Sequence, residues 1–371
     1  MFKKKLGISI YPEKLPINET KDYISLAKKY GFTKIFMSFL QFRTVEEFKK
    51  NKDIYFDVIR FAKKNDFYVV VDIADLALKA TGSNFKDLSF FIELGVDCLR
   101  LDSPLLPSDV AFSTHRNKID IQVNASNNDH FIDNILDYKP VVENLYACHN
   151  FYPQKNTGLG WEYFIDSSRR FYNKGIHLSA FVSSEYGTKG PQMEDVKELV
   201  TVERHRFKPI RTQAKELWAT GYVSDIYIGN QPAKEDELAE LSIIDNTLIE
   251  LDIVEITKIS PLEREILYRN DHFCRGDINE NYIRSTMPRI YYQGKDNIKP
   301  IVNNKKSYNR GDILIINNND KNYQYELIVI LKDDFKNLGK EVNHVASVNK
   351  YDLDLIEFVK SWTSFIFKKT K

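Results

Sequence analysis

The sequence predicts an α/β chain in which eight parallel strands close into a barrel and a smaller β-rich domain follows. Three observations predict it. Through the first two thirds, short runs rich in β-branched and aromatic residues alternate with longer stretches of helical period. Eight such runs can be found, and eight is the closure number of a TIM, or (β/α)8, barrel. After Pro232 the rhythm changes to strand-like runs between Asn-, Asp- and Gly-rich turns. An open doubly wound sheet is the competing arrangement. No GxGxxG follows the first strand, so a dinucleotide fold has little support.

In order, the barrel strands are expected at 6–11, 34–40, 68–74, 98–102, 120–126, 144–152, 176–183 and 226–230. Between the first two, Tyr23, Leu26, Ala27 and Tyr30 fall on one helical face over 20–30, and Gly31 follows as a stop. Stretches 45–65 and 85–94 read the same way, the second closed by Gly95. So do 194–200 and 213–220, with Gly221 after the latter, and 235–244 reads as a last or connecting helix. Beyond it, 247–259, 282–292, 312–316 and 324–331 are strand-like, and Asn317-Asn318-Asn319-Asp320 is the clearest turn. The domains are therefore expected at 1–240 and 245–371.

Composition narrows the function classes. The 371 residues are 43% hydrophobic and 28% charged, enough to bury a core without a disulfide or metal staple. Lys+Arg 53 against Asp+Glu 52 leaves no basic surplus, which argues against a nucleic-acid partner. Cys98, Cys148 and Cys274 cannot all pair and show no metal-ligand spacing. Cys98 and Cys148 lie in apolar runs and read as small hydrophobes. No metal and no cofactor is expected, since neither HxH nor HExxH occurs. Without a cleavable leader or an apolar run of membrane length, the expectation is a soluble cytoplasmic protein with no membrane partner.

Catalytic groups of such a barrel sit at the C-terminal strand ends. In 98–102, Leu99 and Leu101 suit the helix layer, which sends Arg100 and Asp102 into the lumen. In 120–124, Gln122 and Asn124 go inward, and Asp72 closes the third strand. An Arg100 ion pair with Asp72 or Asp102 would fix the lumen and nothing more. Two carboxylates facing one cavity are also what glycoside hydrolysis needs, one as acid and one as base or nucleophile. Asp72 and Asp102 are the expected catalytic pair, with Glu13 and Glu185 as the alternative carboxylates. His149, Asn150 and Tyr152, before a Thr157-Gly158 loop, are candidate substrate contacts, as are Asn124 and Glu13. Glu203, His205 and Arg206 follow the seventh strand, where TIM barrels often bind phosphate. Arg275 and Arg310 are turn arginines of the second domain, which would cap the barrel mouth and offer them to an anionic substrate.

At Leu6-Gly7-Ile8-Ser9-Ile10-Tyr11-Pro12-Glu13, Leu99-Arg100-Leu101-Asp102, Cys148 through Pro153 and Glu203-Arg204-His205-Arg206, the chain resembles the MupG-like 6-phospho-N-acetylmuramidases. Ile228-Gly229-Asn230, Arg275-Gly276-Asp277 and Arg310-Gly311-Asp312 extend the resemblance in order along the chain. It implies a TIM barrel followed by a cyclophilin-like β domain. The implied activity is cytoplasmic hydrolysis of N-acetylmuramic acid 6-phosphate linked to N-acetylglucosamine, a small phosphorylated disaccharide of cell-wall recycling. A sugar-phosphate isomerase, epimerase or lyase using His149 or a carboxylate as base is the alternative enzyme. A non-catalytic phosphosugar-binding protein is the alternative from another class.

Overall fold

Eight strands of the first unit, all parallel, run β1 (Lys5–Ser9), β2 (Lys34–Ser38), β3 (Tyr68–Ile73), β4 (Cys98–Leu101), β5 (Asp120–Asn124), β6 (Leu145–Cys148), β7 (His177–Val182) and β8 (Asp225–Ile228). β8 pairs with β1 and closes the barrel. The computed structural model describes residues 3–102, 105–116, 118–191, 198–256, 258–269, 271–301, 305, 307–336 and 338–370. The chain divides into two units, Met1–Ile243 and Ile244–Lys371. No helix among the described residues is long and apolar enough to cross a membrane.

Strands β2 and β4 are buried along their whole length, as strands covered on both faces must be. Register then sorts the lumen into layers. Phe36, Val70, Cys98, Cys148, Phe181 and Tyr227 pack as one cluster inside the barrel. Cys98 and Cys148 are core groups there, and burial pushes the Cys148 thiol up to about 12. One layer nearer the C-terminal end, Ser38, Asp72, Arg100 and Gln122 lie side by side across β2 to β5. At the opposite end, Lys34 pairs with Asp225 and lies over the rings of Tyr68 and Tyr146, at 4.6 and 5.4 Å.

The covering helices follow their apolar spacing. Helix Val45–Lys64 starts at Thr44, whose hydroxyl accepts from the Glu47 backbone N–H at 3.1 Å. It buries Phe48, Tyr55, Val58, Ile59 and Ala62 on one face, worth roughly 1.5–3 kcal/mol for each large side chain fully removed from water. Helix Ser89–Leu94 stops at Gly95, which adopts φ +98°, a left-handed conformation that a side chain would strain. This helix is shorter than the expected 85–94, because Asn84 and Asp87 bridge each other in a turn just before it.

The second unit is one seven-stranded sheet. Its strands are β9 (Ile249–Glu255), β10 (His272–Phe273), β11 (Tyr282–Ser285), β12 (Asp312–Ile316), β13 (Leu327–Ile330), β14 (Val342–Val348) and β15 (Ser364–Lys369), in the order β10-β15-β9-β14-β12-β13-β11. Only β15 and β9 pair in parallel. Tyr308, Leu314, Ile328, Ile330 and Val342 form an apolar cluster on it.

The structure corrects three expectations. Stretch 282–292 is strand β11 followed by helix Met287–Tyr291. Pro288 carries no N–H for a ladder but fits a helix's first turn. Of the expected helix 194–200, residues 194–197 lie outside the described residues. The rest is not helical, and Val200 instead bridges Tyr152. The two-residue β10 was not expected, nor were strands β14 and β15. Asn343, His344 and Ser347 interrupt the apolar alternation of β14, and Lys368-Lys369 ends β15 in charge.

Candidate active site

At the C-terminal end of the barrel a cavity of about 200 Å³ opens over Phe36 and Phe181, with Asp72, Arg100, Asp102 and Asn150 in its wall. Strand parity brings these groups together, as expected. Arg100 organises them. Its Nη1 lies 2.8 Å from Asp72 Oδ1 and 3.6 Å from Asp102 Oδ1, and its Nη2 donates to the Asn150 side-chain oxygen. Both expected ion pairs exist, on one nitrogen.

The two carboxyls differ in environment. Asp72 is enclosed, and burial, which outweighs the attraction of Arg100, pushes its carboxyl up to about 6; the negative charge of Asp102 adds to the rise. Asp102 sits one residue past β4, tied by its backbone N–H to the Ile73 carbonyl at 3.1 Å. Its side chain is 39% exposed.

His149 does not face the cavity. It is fully buried, Nδ1 lying 3.4 Å from Ser126 Oγ and Nε2 3.0 Å from Ser168 Oγ. Burial, with the Arg100 charge, pushes it down to about 3, so the ring is neutral. Ser126 Oγ in turn accepts from the Asn150 backbone N–H at 2.8 Å, so the chain Ser168–His149–Ser126 positions Asn150. Asn124 closes the turn below it, accepting from the Ser126 N–H at 2.8 Å. Ser126 and Ser168 were missed; the Asn124-x-Ser126 spacing is the signal that could have found the first.

The expected phosphate group behaves as a loop fastener. Arg206 Nε and Nη2 each lie 2.8 Å from the Glu203 carboxylate, and Nη2 also donates to the carbonyls of Tyr152 and Gln154 at 3.0 and 3.3 Å. Nη1 lies 3.4 Å from the Glu198 carbonyl. All three guanidinium nitrogens are engaged in holding this loop. Glu203 accepts from the Asn156 and Gly158 N–H groups as well, and these donors with Arg206 pull its carboxyl down to about 2. A Cβ on Gly158 would stand 2.7 Å from that carboxylate, so only glycine fits. His205 is buried against Glu216 at 3.2 Å, out of reach of a ligand. The half-buried Tyr152 contributes backbone on both sides, its N–H bonding Val200 at 2.9 Å.

Of the alternative carboxylates, Glu13 accepts from the Tyr55 hydroxyl and is pushed up by burial, but it does not line the cavity. Glu185 is exposed, its backbone N–H held by Glu237 at 2.8 Å. In the second unit, Arg275 pairs with Asp277 and Arg310 with Glu357, the latter at 3.1 Å. Among the described residues no group of three or more His, Cys, Asp or Glu side chains is placed to hold a metal ion.

Comparison with known proteins finds one family over both units. The profile described as 6-phospho-N-acetylmuramidase, N-terminal, matches residues 6–243, and that described as 6-phospho-N-acetylmuramidase, C-terminal, matches residues 249–368. The crystal structure of an uncharacterized B. cereus protein is 35% identical over 99% of both chains, with a TM-score of 0.88. That of a conserved Enterococcus faecalis protein of unknown function is 27% identical over 98% of this chain and 96% of the other, with a TM-score of 0.71. No curated protein sequence matches. Matched in both of its units, the chain belongs to the 6-phospho-N-acetylmuramidase family.

Proposed function

We propose that the chain hydrolyses the glycosidic bond between N-acetylmuramic acid 6-phosphate and N-acetylglucosamine, a step of cell-wall recycling in the cytoplasm. One observation carries the reading: Asp72 and Asp102 share Arg100 in one cavity while only Asp72 is enclosed and pushed up to about 6. Carboxyls in unequal environments suit the two roles of glycoside hydrolysis. Asp72 gives its proton to the leaving oxygen as that oxygen's bond to the anomeric carbon breaks. Asp102 attacks the same carbon as the second carboxylate of the pair. Water then bonds to the anomeric carbon and returns a proton to Asp72, releasing Asp102. Asn150, its oxygen bonded by Arg100, stands in the cavity wall where its amide can meet a sugar hydroxyl.

The family resemblance supports reading the second unit as cyclophilin-like. An isomerase with His149 as base has no geometric support, since that ring is enclosed and too weakly basic. The test is product analysis on the phosphorylated disaccharide. Two monosaccharides, one still phosphorylated, are expected. A single rearranged sugar, or a raised melting point without turnover, would contradict the reading.

A further inference from the structure

Arg275 and Arg310, from turns 35 positions apart, line one cavity of about 250 Å³ whose walls belong entirely to the second unit. Its floor is apolar, with Ile283, Ile356 and Val359. Its charged groups are Arg275, Arg284, Arg310 and Lys360 against Asp277 and Glu357, a cationic excess. Arg284 is fixed by the buried Glu326 at 2.5 Å. Arg275 and Arg310 have exposed carboxylate partners instead, Arg310 donating as well to the Leu353 carbonyl at 3.2 Å. Asp277 and Glu357 are 63% and 50% exposed, and such exposed pairs hold weakly enough for a dianion to displace them.

Beside the cavity stands Trp362, 73% exposed. Its ring lies on Gly276, between the lining residues Arg275 and Asp277, and a Cβ there would come within 2.4 Å of it. Its backbone has φ +63°, a left-handed conformation that is costly for a bulky residue. Two bonds hold it: the Trp362 N–H donates to the Cys274 carbonyl at 3.1 Å, and the Ser361 hydroxyl to the Gly276 carbonyl at 2.7 Å. A strained, exposed indole with a fixed face next to a cationic, apolar-floored cavity is built to receive something.

We propose that the second unit carries its own binding site for a sugar phosphate. The apolar C–H face of the pyranose lies on Trp362, and Arg275, Arg310 and Lys360 take the phosphate oxygens. Guanidinium groups match a phosphate with two parallel hydrogen bonds, and the cavity is wide enough for the phosphate and its linking carbon. The site is lined by neither the barrel cavity's residues nor its carboxylates, so its test does not depend on the proposed hydrolysis.

The experiment titrates the full chain with glucose 6-phosphate while following tryptophan fluorescence. Trp161 and Trp218 supply the background, so Trp362→Phe isolates the signal. A saturable change is expected in the native chain and none in Trp362→Phe. Affinity should fall at least tenfold in Arg310→Gln and also in Lys360→Gln, whose exposed side chain makes unfolding no explanation. Glucose and inorganic phosphate should each bind at least tenfold more weakly than glucose 6-phosphate. The proposal is overturned by the absence of a saturable change, by a signal that survives Trp362→Phe, or by unchanged affinity in both charge variants. Inorganic phosphate binding as tightly as the sugar phosphate overturns it too. Asp102→Asn should leave this signal intact whether or not it stops turnover, which keeps the two proposals separate.

Discussion

Asp72 links the chemistry of single residues to measurable stability. Its carboxyl, ordinarily near 3.8, is pushed up to about 6 by burial. A carboxyl raised in the folded state favours folding when protonated, so its contribution is present below about pH 4 and is lost as pH rises through about 6. The difference in melting midpoint between the native chain and Asp72→Asn, followed from pH 4 to 7, should therefore shrink or reverse toward neutrality. A constant difference would contradict the assignment. Turnover should fall over the same range, because the proposed acid loses its proton. The substrate phosphate also titrates near pH 6, so melting measured without substrate is the cleaner readout. Strand parity made Asp72, Arg100 and Asp102 legible from sequence. His149 was legible as a residue but not as a buried one, because its enclosure depends on Ser126 and Ser168 from other elements.

At the scale of elements, the loop after β6 is held by charge. Glu203 and Arg206 join segments that are about fifty residues apart in sequence, and nothing local reveals that the guanidinium bonds the carbonyls of Tyr152 and Gln154. A phosphate role was read there from position in the barrel alone. Arg206→Ala should lower stability by roughly 1–3 kcal/mol, the cost of leaving charged hydrogen-bond partners unmet. It should weaken turnover of phosphorylated and plain disaccharide alike, measured as kcat/KM for both. Selective loss for the phosphorylated substrate would return Arg206 to phosphate recognition. Elements with clean periodicity were legible, as helix Val45–Lys64 shows. Met287–Tyr291 was not, because five residues give too little period to separate helix from strand.

For the whole molecule, barrel closure and the cavity lined by Asp72 and Asp102 lie at opposite ends of the same strands. Lys34 on β2 and Asp225 on β8 form a buried pair at the N-terminal end. Lys34→Met removes one partner and leaves a buried carboxylate, which should cost about 3–5 kcal/mol. Activity per folded molecule should persist, read as turnover normalised to the folded fraction below the melting transition. Loss of turnover in protein that is still folded would show that the two ends are coupled. The eight-strand barrel was legible because each βα unit repeats one signal. The sheet of the second unit was only partly so, since β10 has two residues and β14 carries polar interruptions.

The central claim is that Asp102 takes part in bond cleavage instead of merely balancing Arg100. Asp102→Asn keeps the size and removes the charge, and its turnover and melting midpoint can be measured on one preparation. The account predicts a melting midpoint close to native and turnover reduced by at least about a hundredfold, as expected when the attacking carboxylate is lost. An Asp102→Asn protein that melts early yet cleaves at a near-native rate would contradict it.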